Sequence, residues 1–504
     1  MTNVKLLGRF RAYALPCLHA HAPPHRDCQR GGGRLRRTAS APMQPPQPFH
    51  VSPPDSAWLR MEGPTNAMTI TGVMGFGSEF TMDHLRTFVG ERLVPFDRFR
   101  MRIEGAGSVR PRWVPDETFD LSNHLHEVVL PEPAGKAELE ALVSRLMSEP
   151  LSFERSPWSF HLVRRVGDSA GVDGSAIVVR VHHVIGDGIA LMHVLIHAVD
   201  EHFDPENPTG RAPRRGKAPV TERLVETIKN AGAEAAELIL RPAHLARRLL
   251  AAGSGAGSLG HLLAMRPDSD TTFKGQVSTD KRAAWTDPIP LDVVKTVGDA
   301  LGAKVNDVLM SAAGGAIRRF FQASGQSVDD VTVRMAVPFN VRPLDRAHEL
   351  GNSFALVFVE LPVSPSTARE RLKTIKERMD TIKDSAEPAV VFGILQSIGR
   401  APMWVHQLVV KMFSEKASGV MTNVPGPTEP LHIVGAPITT LMFWVPQAGD
   451  IGLGLSILSL NGTVRVGVTT DAGFVSDPSA LARAFEDEFA ALAAEFGEGE
   501  AANA

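Results

Sequence analysis

The stretch Ala176-Ile-Val-Val-Arg-Val-His182-His183-Val-Ile-Gly186-Asp187-Gly188-Ile-Ala-Leu191 stands apart from the rest of the sequence. Its first residues are mostly β-branched and predict a strand, and the two glycines predict a turn before a helix over about 189–199. Successive strand residues face opposite sides, so the two histidines should point in different directions. Such a turn can present a side chain to a cleft while its backbone stays fixed.

The histidine pair suggests acid–base chemistry. An imidazole with a pKa near its usual value of about 6.5 is the side chain best suited to take a proton from an alcohol near neutral pH. Asp187 can fix the turn or pair with a cation. Two other interpretations stay open at this point: His182 and His183 are core histidines, or they bind a metal together with Asp187. The metal site is weakened because no third nearby ligand is evident.

Composition excludes several classes of protein. The 504 residues are 43% hydrophobic and 22% charged, with a net charge of −3, which is typical of a globular chain and not of a disordered, collagenous or nucleic-acid-coating one. Tyr13, Cys17 and Cys28 are the only tyrosine and cysteines. No disulfide framework or cysteine-ligated zinc site can therefore form after residue 28, which suits a reducing cytosol.

The N-terminal segment differs from the rest. Its first 42 residues carry eight basic side chains and one aspartate, a local charge of +7 that leaves −10 on the remainder. We predict that residues 1–49 are a disordered basic extension. Arg9 and Arg11 interrupt the only candidate signal-peptide core, which leaves a transit peptide or an over-extended start with Met43 as initiator. No window is apolar enough to span a bilayer, so we expect a cytoplasmic protein with peripheral lipid contact.

Composition and periodicity divide the body into two domains, at 50–204 and 272–496, with a tail at 497–504. The connecting residues 205–271 combine a linker rich in proline, glycine and arginine with a basic amphipathic helical crossover. That crossover either lies on an anionic lipid surface or packs on the domains. A helix over 305–321, a hairpin at Asn461-Gly462 and a last helix after Asp477 make the class α/β or α+β.

His182-His183-Val-Ile-Gly-Asp187-Gly188 matches the HHxxxDG motif of the CoA-dependent acyltransferase superfamily. Over about 50–495 the chain further resembles one branch, the wax ester synthase/diacylglycerol acyltransferase family. The segments that carry this resemblance are Val51–Leu59 with Asp55, Phe119–His124, Ala303–Leu309 with Asn306 and Asp307, Val337–Pro343 with Arg342, Gly351-Asn352 and Thr422–Pro427. One motif departs: Ser156-Pro157-Trp158 stands where the family usually has Pro-Leu-Trp.

The resemblance implies two chloramphenicol-acetyltransferase-like domains with an active-site channel between them, entered by acyl-CoA and the acceptor alcohol from opposite sides. On this basis we interpret His183 as the general base of a direct transfer without an acyl-enzyme. His182 would support it, Asp187 would shape the loop and Gly188 would form the turn. Asn306 and Asp307 are either substrate-binding groups or helix N-caps.

We therefore predict an acyl-CoA-dependent O-acyltransferase that converts diacylglycerol or a long-chain alcohol into triacylglycerol or wax ester, needs no cofactor or metal, binds no nucleic acid, and associates peripherally with membrane or lipid droplets. Three alternatives stay open. One is transfer to another acceptor, such as a polyketide, glycolipid or amine. The others are a metal-dependent hydrolase and a non-catalytic lipid-binding protein. His124 and His126 are interpreted as structural, and Phe358, Phe443 and Trp444 as channel wall or core.

Overall fold

The computed structural model describes residues 45–167, 174–205, 260–340, 350–383 and 387–497. These residues belong to one compact unit. The predictions made for the basic extension up to residue 44, for most of the crossover, for Arg342 and for the end of the tail lie outside the described ranges.

Helices and strands are mixed along the described residues. The strands are β1 Phe49–His50, β2 Thr69–Phe76, β3 Met101–Glu104, β4 Arg112–Pro115, β5 Leu125–Val128, β6 Trp158–Val166, β7 Gly174–His182, β8 Lys281–Trp285, β9 Ile289–Pro290, β10 Val333–Asn340, β11 Phe354–Leu361, β12 Gly419–Pro425, β13 His432–Ile433, β14 Ala436–Trp444, β15 Leu453–Leu460 and β16 Thr463–Asp471. The helices are α1 Pro53–Met61, α2 Met82–Phe88, α3 Lys136–Ser148, α4 Gly188–Ala198, α5 Leu291–Ala300, α6 Val305–Ala323, α7 Ala368–Lys383, α8 Glu387–Ile398, α9 Met403–Ser414 and α10 Ser479–Gly497.

The first half is built on a six-stranded mixed sheet in the order β13-β14-β2-β7-β6-β5. Its pairs are antiparallel except for β5 and β6, which run parallel. Strand β7 lies at the centre of this sheet. Its residue His182 pairs with Thr69 of the neighbouring strand β2. The strand and the helix predicted from the motif are both present, and they place the histidine pair at the end of a buried central strand.

The second half is built on a mixed sheet in the order β11-β10-β12-β15-β16-β8, with β9 also paired to β16. The predicted hairpin joins β15 to β16. Asn461 and Gly462 both have positive φ, 47° and 75°, as a type I′ turn requires. The last helix begins as predicted, because the Asp477 carboxylate accepts the Ser479 N–H at 3.0 Å. Helices α6 and α10 contribute their apolar faces to the core over this sheet.

One pair of strands links the halves. Strands β13 and β14 come from late in the chain, yet β14 pairs with β2 in the first sheet, with Met442 opposite Val73. The first half is thus completed by residues that follow β12 of the second sheet. The predicted limits at 204 and 272 assign β13 and β14 to the second domain, whereas both strands belong to the sheet of the first half. Among the described helices, none is both long and apolar enough to cross a membrane.

Candidate active site

Strand β7 sends alternate side chains to its two faces, and this alternation separates the histidines. Val179 and Val181 line an apolar cavity on one face. His183 follows on that side and lines a chamber between the two halves. His182 contacts Glu62 at 3.3 Å, together with the edge of Phe153. The two imidazoles therefore have different surroundings, as the strand periodicity predicts.

Both ring nitrogens of His182 are used within the protein. Its Nδ1 accepts the N–H of Val184 at 3.0 Å, so Nε2 carries the proton and donates to the Glu62 carboxylate. The same Glu62 oxygen accepts the Met68 N–H at 2.5 Å. His182 is completely buried. This geometry suits the supporting role predicted for it.

His183 lies in an apolar and aromatic environment. Its ring stacks on Trp58, with centroids 4.8 Å apart and planes inclined by 17°, and it lies 5.7 Å from the Phe354 ring. Burial lowers the pKa of His183 to about 4, opposed by the Asp187 charge and by Asn352. The imidazole is therefore neutral near pH 7, the form that accepts a proton.

Asp187 and Gly188 form the start of α4. One carboxylate oxygen of Asp187 caps the helix by accepting the Ala190 N–H at 2.8 Å, and the other accepts the Ser353 N–H of the second half at 2.9 Å. Gly188 does not have a positive φ, and a Cβ there would meet nothing within 4 Å. The turn therefore does not require glycine at 188 for its backbone conformation. What the glycine does is leave space open where the chamber meets the apolar cavity.

A buried network that sequence reasoning did not assemble holds the backbone around His183. One oxygen of Asp55 accepts both the backbone N–H and the side-chain N–H of Asn352, at 2.7 and 2.8 Å. The other pairs with Arg98 at 3.1 Å. Arg98 donates to the carbonyls of Val184 and Ile185, at 2.7 and 3.0 Å.

Asn352 completes this network by donating to the carbonyl of His183 at 2.8 Å. Its neighbour Gly351 has a φ of +119°, a backbone conformation that favours glycine, and a Cβ there would also lie tightly at 3.2 Å from Arg98 and 3.3 Å from the Asp55 carboxylate. Asp55, Gly351 and Asn352 stand in segments already singled out by resemblance. Arg98 carried no sequence signal, because nothing local marks an arginine whose partners are distant carbonyls.

Asn306 and Asp307 have different roles. Lys304, not Asn306, is the N-cap of α6, and Asp307 returns to accept its N–H at 3.0 Å. The expected N-cap role is therefore wrong for Asn306, because it stands at the second helical position. Its side-chain oxygen instead accepts from Asn423 at 3.0 Å, and Asn423 lines the chamber. Asn306 thus reaches the chamber through Asn423.

The triplet Ser156-Pro157-Trp158, which differs from the usual family motif, also contacts this region. Ser156 donates to the carbonyl of Arg98 at 2.9 Å, and the Trp158 indole donates to that of Phe99 at 3.0 Å. His124 stacks on Trp158 at 4.1 Å, whereas His126 stacks on His161. The described residues contain no group of three or more side chains suited to hold a metal ion.

The chamber lies between the halves and is flanked by two apolar cavities with which it shares lining residues. It is lined on one side by Trp58, His183, Asp187, Gly188 and Ile189, and on the other by Pro338, Asn340, Phe354, Thr422 and Asn423, among others. The first cavity lies between the first-half sheet and α4, and its volume is about 820 Å³ including space open to solvent. It shares the lining residues Gly188 and Phe443 with the chamber. The second lies beside α8 and α9 and shares Trp58, Leu356 and Ala448. Phe443 and Phe358 line these cavities, whereas Trp444 packs against Trp285 in the core.

Comparisons with known proteins agree with this description. Residues 51–309 match the wax ester synthase/diacylglycerol acyltransferase catalytic domain, and residues 350–493 match the WS/DGAT C-terminal domain. The chain is 26% identical over 421 residues to "Probable diacyglycerol O-acyltransferase tgs1" of Mycobacterium tuberculosis, covering 81% of this chain and 87% of that protein.

Solved structures confirm the predicted fold of two chloramphenicol-acetyltransferase-like domains. The wax ester synthase/diacylglycerol acyltransferase from Marinobacter aquaeolei VT8 has a TM-score of 0.63 at 21% identity, covering 89% of this chain and all of that one. The first condensation domain of the calcium-dependent antibiotic synthetase has a TM-score of 0.58 at 16% identity, covering 89% and 98%.

Proposed function

Because this chain belongs to the wax ester synthase/diacylglycerol acyltransferase family, we propose that it transfers a long-chain acyl group from acyl-CoA to the hydroxyl of diacylglycerol or of a long-chain alcohol. The observation that carries this proposal is the position of His183. His183 lines a chamber bordered by two apolar cavities, and in this proposal each cavity holds one hydrocarbon chain.

His183 acts as the general base. It removes the proton of the acceptor hydroxyl, and the alkoxide oxygen attacks the thioester carbonyl to form a tetrahedral oxyanion. Collapse of this intermediate breaks the carbon–sulfur bond and releases the CoA thiolate, which takes the proton from the imidazolium. No acyl-enzyme forms, in keeping with a sequence that has no cysteine after Cys28. A positioned base contributes about a hundred- to ten-thousandfold, and substrate positioning supplies much of the rest.

Other groups position the reactants in this scheme. Asn306 holds the amide of Asn423, a residue that lines the chamber. Asp187 fixes the loop between the halves. The acyl chain occupies the cavity beneath α4 and the acceptor the cavity beside α8 and α9. The scheme uses no metal or prosthetic group, so treatment with a chelator should leave the rate unchanged.

The test offers labelled long-chain acyl-CoA together with hexadecanol and diacylglycerol to the wild type and to His183→Ala. We expect the variant to form ester about a hundred- to ten-thousandfold more slowly. His197→Ala is the matched control, because His197 lies on α4 but lines none of these cavities. Equal CoA release by wild type and His183→Ala would show that His183 is not the base. Free fatty acid without ester would indicate hydrolysis instead of transfer.

A further inference from the structure

Helix α9 exposes an apolar pair to solvent. Trp404 is 59% exposed and Leu408, one turn later, is 47% exposed. Trp404 is the most exposed aromatic side chain in the described part of the chain. Leaving large apolar side chains in water is unfavourable, and two of them on one helical face form a patch that a partner could cover.

Basic side chains bracket this pair. Arg400 lies in the turn before the helix and Lys411 one turn after Leu408, and both are exposed. Glu415 is the acidic residue near this end of the helix, 4.0 Å from Lys411. Within the described ranges, Arg400 forms no ion pair. Trp404 and Leu408 thus form an apolar stripe flanked by the cations Arg400 and Lys411. Such a composition is favoured at a lipid–water interface that carries negative charge.

The opposite face of α9 forms a wall of the second cavity. Val409, Val410 and Phe413 line that cavity, which shares Trp58 and Leu356 as walls with the His183 chamber. An α-helix with its side chains is about 10 Å thick. The exposed stripe is therefore separated by one helix from the cavity assigned to the acceptor.

The helix is held firmly against α1. The buried His406 ring donates from Nε2 to the Ala57 carbonyl at 3.0 Å. Arg60 donates to the carbonyls of Ile398 and Ala401, at 3.1 and 2.7 Å, in the segment that leads into α9. The exposed side chains thus project from an anchored helix, which fixes the orientation in which a flat surface would meet it.

We propose that α9 docks this protein on a phospholipid membrane with anionic headgroups. Trp404 and Leu408 enter the outer part of the acyl layer, and Arg400 and Lys411 contact headgroup phosphates. The inference rests on the proposed function, because a water-insoluble acceptor and its ester must pass between the lipid phase and the second cavity.

Vesicle flotation of the full-length protein tests the docking. Trp404→Ser/Leu408→Ser should lower the partition coefficient for phosphatidylcholine vesicles containing phosphatidylglycerol by about tenfold. Arg400→Gln/Lys411→Gln should lower it for these vesicles but not for pure phosphatidylcholine, and added salt should reduce the difference. Val109→Ser/Val129→Ser is the matched control, because these valines are 53% and 85% exposed in loops away from α9. The control should float like the wild type.

Two results would overturn the docking surface. One is equal flotation of the wild type and the α9 apolar variant, with near-UV circular dichroism confirming that both are folded. The other is a change in oligomeric state on gel filtration with flotation unchanged, which would make this face a contact between copies of the chain.

A separate assay distinguishes failure of the docking from failure of the proposed function. Transfer from a short-chain acyl-CoA to a short, water-soluble alcohol is measured without vesicles, and Trp404→Ser/Leu408→Ser should keep the wild-type rate. A loss of rate there would place the substitutions in the catalytic machinery and overturn the docking role. If the wild type itself transfers no acyl group, the proposed function fails, while flotation still decides whether α9 binds lipid.

Discussion

At the scale of single residues, the backbone of His183 is held by side chains from distant parts of the chain. Arg98 donates to the carbonyls of Val184 and Ile185, the two residues after His183. Asn352 donates to the carbonyl of His183 itself. Asp55 joins Arg98 to Asn352 and is itself fully buried. A small displacement of a general base lowers the rate of proton transfer, because the reacting atoms lose their near-attack geometry.

Asn352→Ala is the residue-scale prediction. The change removes the side-chain bonds to His183 and Asp55 but keeps the backbone bond from position 352 to Asp55, so the loop stays attached. We expect kcat to fall about ten- to a hundredfold, with the KM for acyl-CoA nearly unchanged. Steady-state kinetics measure both constants, with the exposed Asn123→Ala as control. A raised KM at unchanged kcat would contradict the positioning role.

At the scale of elements, α3 covers the free edge of β8. Glu140, Ser144 and Ser148 accept the N–H groups of Trp285, Ala283 and Lys281, at 3.3, 2.9 and 2.8 Å. The acceptors recur every four residues of α3 and the donors every two residues of β8. These spacings agree, because four helical residues rise about 6 Å and two strand residues about 6.8 Å. Three side chains of a first-half helix thereby accept the outward backbone N–H groups of the edge strand β8. This protects the edge of the second-half sheet from pairing with other chains.

Glu140→Gln is the element-scale prediction. Burial raises the pKa of Glu140 to about 7, whereas in the unfolded chain it is near 4.5. The folded protein therefore binds the extra proton, and the free energy of unfolding should fall as pH rises from about 4.5 to 7. Glutamine can still accept the Trp285 N–H but does not ionise. Urea unfolding at pH 5 and 8 should show a smaller loss of stability for the variant.

The exposed Glu104→Gln on β3 is the control for this measurement and should behave as the wild type. An identical pH dependence in wild type and Glu140→Gln would mean that Glu140 does not titrate between these values.

At the scale of the whole molecule, the two halves enclose the chamber and each contributes lining side chains. Gly188 and Phe443 line both the chamber and the cavity beneath α4. Since a side chain at 188 would project into open space, Gly188→Leu should fill the space between the chamber and this cavity without straining the backbone. We expect kcat/KM for a long-chain acyl-CoA to fall at least about tenfold relative to a short-chain one, because the proposed function places the long acyl chain in this cavity.

Acyl-CoA substrates of graded length measure this effect, with Gly107→Leu as control because its Cβ would also meet open space, in the loop between β3 and β4. A uniform loss of activity for all chain lengths would place the acyl chain elsewhere.

Much of the local structure follows from the sequence alone. The β-branched run before His182, the Asn461-Gly462 turn and the Asp477 cap form as predicted, because each depends on backbone preferences over a few residues. The opposite orientation of His182 and His183 follows from the two-residue period of a strand. The motif segments likewise identified the family before any contact was known.

The way distant segments meet is set by the tertiary structure alone. Arg98 binds the loop after His183, and the pair β13 and β14 completes a sheet whose other strands lie more than 200 residues earlier. It also placed Asn306 against Asn423 instead of at the helix cap, and it left Trp404 exposed on a helix that otherwise reads as amphipathic. The physical reason is that local preference selects helix, strand or turn. The partner of a buried charge or carbonyl is set by which surfaces pack together, and no pattern of nearby residues records it.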